Sequence, residues 1–411
     1  MGKKICILTQ SHLCRNPRVV KEANTLVRAG YEVTILTTFA YADLLEEDLK
    51  LIDPRVKLKG VVNLIPGETT KWYRLKERLR KRVAGELIAR LGYENVFALG
   101  YDYKRNLKAA IREKADLYTC HQEVSTVIGC KLINKGFKAA FDFEDWYSHD
   151  LLPEANRSRP VKLLEKYEKI GLQKGVFSYT TSESLSGAFA DFADVAAPGV
   201  LHNVFPLAER QLLDGRFLDR TDMEMPSIHW YSQTIGPGRG LEFLIDSLSE
   251  IKTPVQLHLR GNLFGNFQDQ LLSVFPHHLG HKLFFHKLVP HKELLSRIAE
   301  HDIGLATEEY TPDSRNLTIT NKILQYLLGG IAVLASDTAG QQEVARIAPE
   351  SVFLFKNKDK ESLVKVLNKL ISDKIALKEA GKKALSTAEN IFCWEKQEYK
   401  LLQWVENALK S

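Results

Sequence analysis

The chain has 411 residues, 44% of them apolar and 26% charged, with a formal charge of +6. That length exceeds what one hydrophobic core serves, so two domains of an ordinary soluble class are expected. No stretch approaches about 18 uncharged apolar residues, which excludes a membrane-spanning helix.

The charge is concentrated rather than spread. Eight basic residues between Lys71 and Arg90 face only Glu77 and Glu86, so this segment alone carries +6. The remainder is close to neutral, and a nucleic-acid-binding surface is not expected. The five cysteines (Cys6, Cys14, Cys120, Cys130 and Cys393) are scattered and include no C-x-x-C pair. Neither zinc nor a disulfide framework is implied, and the setting reads as cytoplasmic and reducing. The first apolar run, Ile5 to Leu8, is too short for a signal peptide.

Lys4 to Leu8 reads as a strand and Ser11 to Arg15 as a polar loop. Asn16 then caps a helix with Pro17 at its first position. Val19, Val20, Ala23, Leu26 and Val27 recur at helical spacing until Gly30 ends the helix. Tyr31 to Leu36 follows as a strand, completing a βαβ unit and implying a parallel sheet. The basic segment 71–91 reads as an amphipathic helix with Trp72, Leu75, Leu79, Val83 and Leu87 on one stripe. Such a helix suits the face of an anionic membrane, or docks its stripe on the first domain. Strands are expected at 115–120, 139–143 and 175–179, with helices at 126–135 and 163–173 between them.

"VLHNVFPLAER" (200–210) closes this series, and the first domain is placed at 1–205. The second, at 206–388, begins with the strand "IHWYSQ" (228–233), the loop "TIGPGRG" (234–240) and a helix at 241–248. Further strands are read at 255–261, 281–287, 301–307 and 351–355, and residues 389–411 form a terminal helix. The fold class is α/β: two Rossmann-like parallel-sheet domains, with ligand-facing loops at strand ends across a cleft.

A helix opening near Asn321 places Lys322 in its first turn. A cation there costs about 0.3–1 kcal/mol against the helix dipole, and an arriving anion reverses that cost. In the glycine loop, Gly236, Gly238 and Gly240 admit close backbone approach while Arg239 projects. One bidentate cation and one mobile cation on separate loops suit a diphosphate.

"HWYSQTIGPGRGLEFLIDSL", "NLTITNKILQYLLGGIAVLASDTAGQQEV" and "CWEKQEYKLLQWV" together resemble the GT-B glycosyltransferases, of the retaining glycosyltransferase family 4 type. "KICILTQ", "ADLYTCHQEV" and "AAFDFEDWYSHD" fall in the same order, so the resemblance spans nearly the whole chain. It implies the GT-B fold, with the terminal helix crossing back to the first domain. It also implies that Arg239 and Lys322 hold the diphosphate of a nucleotide-sugar donor, with Gly236 and Gly238 letting the loop approach. Thr320 and Asn321 would bind the phosphates or sugar, and Gln325 the ribose. His121 would reach the donor sugar, and Asp142, Glu144 and Asp145 would face the acceptor.

The family's paired glutamates are absent, Leu317 and Gln325 standing in their places. Glu308 and Glu309, just past a strand end, are the candidates to supply a carboxylate instead. No D-x-D pattern stands at a strand end, so no metal and no cofactor beyond the donor is expected. The resulting expectation is metal-independent transfer of a sugar, with retention, to a saccharide or lipid-linked saccharide in surface polysaccharide or glycoconjugate synthesis. The protein would work in the cytoplasm, at the inner membrane face if segment 71–91 touches lipid. The alternatives are a GT-B nucleotide-sugar epimerase and a catalytically silent sugar-binding or scaffold relative.

Overall fold

The structure is a computed structural model, and it describes residues 2–220 and 222–410. The chain forms two compact units. One runs to Leu201 and resumes at Glu398; the other is His202–Gln397. These limits fall before the expected 205/206 boundary and inside the terminal helix Trp394–Lys410 rather than at its start.

The first unit holds seven parallel strands: β1 (Lys4–Leu8), β2 (Glu32–Phe39), β3 (Lys57–Asn63), β4 (Leu117–His121), β5 (Ala139–Phe143), β6 (Ser178–Thr180) and β7 (Gly199–Val200). They lie in the order β3-β2-β1-β4-β5-β6-β7, so chain progression reverses between β1 and β4. The first βαβ unit forms as its residues dictate. Asn16 accepts a hydrogen bond from Val19 N at 3.4 Å, Pro17 opens helix Pro17–Arg28, and Val19, Ala23 and Leu26 are buried. Arg18 and Glu22 are buried as well, which helical periodicity alone does not anticipate.

Strand β6 starts later than the expected 175–179. Gly175 terminates helix Val161–Lys174, its N–H donating to the Gly171 carbonyl at 2.9 Å, and so it is not free to pair. Helix Lys71–Leu91 is capped by Thr70 and seats Glu77, Ala84 and Ile88 inward. Docking through the Trp72-to-Val83 stripe is therefore ruled out, because those side chains point to solvent. Trp404 of the terminal helix packs on Tyr179, with ring centroids 5.5 Å apart, as a structural aromatic.

The second unit has six parallel strands: β8 (Ser227–Ile235), β9 (Gln256–Leu263), β10 (Lys282–His286), β11 (Ile303–Ala306), β12 (Ala332–Ser336) and β13 (Val352–Phe355). Their order is β10-β9-β8-β11-β12-β13, with the reversal between β8 and β11. Its core joins Ile228, Trp230, Leu257, Leu259, Leu305 and Leu334 of the sheet to Leu241, Leu244 and Leu363 of the covering helices. Histidines are also sealed within it. His229 stacks on His301 at 4.6 Å between centroids, and His258 lies 4.6 Å from His301. Burial, before any neighbouring charge, holds all three below the usual histidine range, His258 at about 3.

Candidate donor site and a buried carboxylate cluster

In an open parallel sheet, ligands bind past the carboxyl ends of the strands where the order reverses. In the second unit that place is the ends of β8 and β11. A recess there is lined by Trp230, Gly238, Arg239, Thr307, Glu308, Arg315 and Lys322.

The loop after β8 reaches the recess through two left-handed glycines, Gly238 at φ +69° and Gly240 at φ +75°. A Cβ on residue 240 would stand 3.1 Å from Thr307, so a side chain would push the loop off the strand end. Thr307 Oγ1 donates to the Arg239 carbonyl at 3.1 Å, which pins the loop where Arg239 rims the recess. Gly236 sits behind, its own Cβ position 3.3 Å from Phe264.

Helix Asn321–Gly329 delivers Lys322. Thr320 precedes it without making a side-chain cap bond, so the first-turn N–H groups keep the partial positive charge of the helix. Lys322 Nζ donates to Glu308 Oε1 at 2.6 Å and stands 5.9 Å from the Trp230 ring centroid. Thr320 Oγ1 donates to the same carboxylate oxygen at 3.3 Å. Desolvation pushes the Glu308 carboxyl up, but Lys322 beside it prevails and the group is lowered. Among the described residues, no ion pair engages Arg239 or Arg315. The recess is thus an anion-seeking place, with three cations and one carboxylate already spoken for by one of them.

Other expected site residues are engaged elsewhere. Gln325 is buried and accepts a hydrogen bond from the Tyr231 hydroxyl, so its oxygen is not turned to a ligand. Glu309 pairs with Lys358 at 3.2 Å and does not line the recess. Asn321 accepts from Asn203 Nδ2 at 3.0 Å. Arg315, Thr307 and Trp230 were not anticipated. Arg315 lies on the short helix Asp313–Leu317, where no periodicity marks it.

The residues expected to face the acceptor, Asp142, Glu144 and Asp145, and His121 belong to the first unit, His121 at the end of β4 and the others at and just after the end of β5. His121 has no exposed surface. Its Nε2 lies 2.7 Å from Glu22 Oε2, and its Nδ1 lies 3.1 Å from Glu144 and 3.2 Å from Asp142. Arg18 donates to Asp142 and, at 2.7 Å, to the Leu201 carbonyl, while the Tyr179 hydroxyl donates to Glu22 at 2.9 Å. Burial disfavours a charged imidazole, yet Glu22, Asp142 and Glu144 outweigh it and hold His121 well above its ordinary range. Burial likewise raises Asp142, but Arg18 and His121 bring it down. His121 was expected to reach a donor sugar; in this structure both of its ring nitrogens are engaged by carboxylates inside the first unit. Asp145 keeps some exposure, and desolvation together with Asp150 and Glu144 pushes it up to about 7.

His121, Asp142 and Glu144 each bring one ligand atom within 4.8 Å of the others. Arg18 is also paired with Asp142 in this cluster. Among the described residues, no helix is long and apolar enough to cross a membrane.

No protein-family model and no curated protein sequence matches the chain. Solved structures do. Sucrose-phosphate synthase from Thermosynechococcus elongatus superposes with a TM-score of 0.70 at 14% identity, covering 99% of each chain. A glycosyltransferase from Rickettsia africae gives 0.68 at 13% identity over 100% of this chain and 99% of its own. Anabaena HepE, solved with UDP and glucose, gives 0.66 at 15% identity over 99% and 100%. The two parallel sheets, their reversal points and these superpositions identify the architecture as the GT-B fold of glycosyltransferases.

Proposed function

We propose that the protein transfers a sugar from a nucleoside-diphosphate sugar to a saccharide or lipid-linked saccharide acceptor, with retention and without a metal. The observation that carries this is the convergence of Arg239, Arg315 and Lys322 on one recess at the β8/β11 reversal. In the reaction, the bond from the anomeric carbon to the diphosphate oxygen breaks as an acceptor oxygen bonds to that carbon from the same face. The acceptor proton passes to the departing diphosphate. Negative charge grows on that leaving group, and preorganised cations beside it lower the barrier by a few kcal/mol in comparable sites. Arg239 offers paired N–H donors to the phosphates, and the uncapped helix opening at Asn321 adds its dipole.

Glu308 takes the part of the missing family carboxylate. Lys322 and Thr320 both bond its Oε1, which leaves Oε2 to accept a sugar hydroxyl. Asp142 and His121 act as structural supports, with Glu144 and Asp145 nearer the acceptor. Helix Lys71–Leu91 rests on an anionic membrane, which brings a lipid-linked acceptor within reach. Calorimetry with UDP, GDP, ADP and CDP tests the reading, and binding by none of them would overturn it.

A second reading, a silent sugar-nucleotide-binding relative, is favoured by the enclosure of His121 and the engagement of Gln325. Release of free nucleoside diphosphate from a sugar nucleotide only when an acceptor is added excludes it.

A further inference from the structure

We infer that the first unit carries a second anion site, built to grip lipid phosphates beside the exposed stripe of helix Lys71–Leu91. The inference rests on the membrane contact proposed for that helix and adds a defined headgroup site to it. Along the helix, Trp72, Leu75, Leu79 and Val83 are 73%, 54%, 57% and 46% exposed, an apolar line left open among the described residues. Lys76, Arg78 and Arg82 flank it, exposed and without an ion pair among the described residues. A soluble protein rarely leaves such a line bare unless something docks there.

The helix start adjoins a second basic feature. Tyr73 donates to Asp102 at 3.1 Å, and the Arg105 guanidinium stands 5.7 Å from the Tyr73 ring centroid. From Arg105, helix Tyr103–Glu113 presents Lys108 and Arg112 toward the edge strand β3. Together with Lys59, they line a recess over Gly60 and Val61. Glu113 engages Lys59 at 2.6 Å, while no ion pair among the described residues holds Arg105, Lys108 or Arg112.

Three uncompensated cations around a recess repel one another, and an anion with several oxygens relieves that repulsion. The adjoining apolar stripe selects the source of the anion. A free phosphate has no use for Trp72 and Leu79, whereas a bilayer of anionic lipid supplies acyl surface for the stripe and phosphates for the recess. We therefore assign this face to an anionic bilayer.

The test is co-sedimentation of the full chain with phosphatidylcholine vesicles, with and without phosphatidylglycerol. The wild type is expected to attach only to the anionic vesicles. Replacing Trp72 and Leu79 by Ser, and separately replacing Arg105, Lys108 and Arg112 by Ser, should each weaken attachment about tenfold or more. Both variants should keep the wild-type melting temperature and nucleotide affinity, which separates this result from the fate of the donor site. A triple variant that attaches as tightly as the wild type overturns the recess while leaving the helix contact standing. A wild type that ignores anionic vesicles overturns both. Calorimetry with inorganic phosphate should show no saturable binding; a saturable signal lost in the triple variant would assign the recess to free phosphate and overturn the bilayer.

Discussion

Each sheet gathers charged side chains where its strand order reverses, but the two gatherings are opposite in character. At β8/β11, among the described residues, Arg239 and Arg315 stand without ion pairs while Lys322 is matched by Glu308. At β4 and β5, Arg18, His121, Glu22, Asp142 and Glu144 are paired with one another and nearly all sealed from water, although Arg18 Nη2, Glu22 Oε1 and Asp142 Oδ1 keep no hydrogen-bond partner among the described residues. An open charge surplus costs folding free energy unless a ligand arrives, whereas a closed ionic cluster is costly only when a member is removed. Charged side chains thus form an open cationic recess in one unit and a closed ionic cluster in the other. Burial tells them apart.

The largest consequence concerns the closed cluster. Arg18→Ala leaves Asp142 and its neighbours with an uncompensated buried charge, a loss of about 3–5 kcal/mol in comparable cases. Chemical denaturation should show that loss for the first unit, while nucleotide affinity of the folded fraction stays within about twofold. A stable Arg18→Ala chain would erase the contrast.

Histidine gives a second difference, with opposite signs in the two units. An unfolded histidine takes up its proton near pH 6.5, but His258 in the fold does so only at about 3. Between those values the unfolded state binds more protons, so stability falls as pH drops through that window. On the order of 2 kcal/mol is lost per such histidine by pH 5, since each pH unit below 6.5 is worth about 1.36 kcal/mol. His121 is raised instead, so its contribution is full below about pH 6.5 and is lost as pH climbs through its folded value. Hydrogen exchange at pH 7 and 5 should show the second unit opening first on acidification. Asp219, held at about 2, titrates below this range and does not confuse it.

For the open site, Arg239→Ala, Arg315→Ala and Lys322→Ala should each weaken nucleoside-diphosphate binding at least about tenfold, or 1.4 kcal/mol, by calorimetry. The melting temperatures of Arg239→Ala and Arg315→Ala should move little, because among the described residues neither arginine has an ion pair to lose. Lys322→Ala instead leaves the Glu308 carboxylate unpaired and should lower the melting temperature. Unchanged affinity in all three would remove the assignment of the recess.

Which parts of this were legible beforehand follows from the range of the interactions. The first βαβ unit rests on neighbours in sequence, Asn16 on Val19 and Pro17 on its own ring, and it was read correctly. That Arg239 and Lys322 would sit at a loop and a helix mouth was also legible, because a glycine loop and a helix opening are local signals, and the structure places both on one recess. The edge strand β3 escaped notice because Lys57, Lys59 and Gly60 dilute its apolar pattern. Arg315 became visible only when folding brought helix Asp313–Leu317 against Trp230 and Lys322. His121 was correctly set at a strand end, but Glu22, which encloses it, lies 99 residues away in sequence. Distant partners of this kind decide whether a histidine meets substrate, and no spacing rule carries them.

Glu308 and Glu309 offer the finest discrimination, since they are adjacent in sequence and alike in charge. Glu308 closes on Lys322 inside the recess, whereas Glu309 pairs outward with the exposed Lys358. Surface pairs of the second kind contribute about 0–1 kcal/mol, so Glu309→Gln should leave ligand affinity and melting temperature near wild type. Glu308→Gln removes a negative charge facing the phosphates and also removes the acceptor proposed for a sugar hydroxyl. The two effects act in opposite directions on two ligands. Nucleoside diphosphate should bind as well as or better than to the wild type, while the extra affinity gained from the attached sugar falls severalfold, as expected when a charged hydrogen bond worth about 1.5–3 kcal/mol is replaced by a neutral one. Equal losses for both ligands would reduce Glu308 to a clamp on Lys322 and leave the sugar without a carboxylate in this recess.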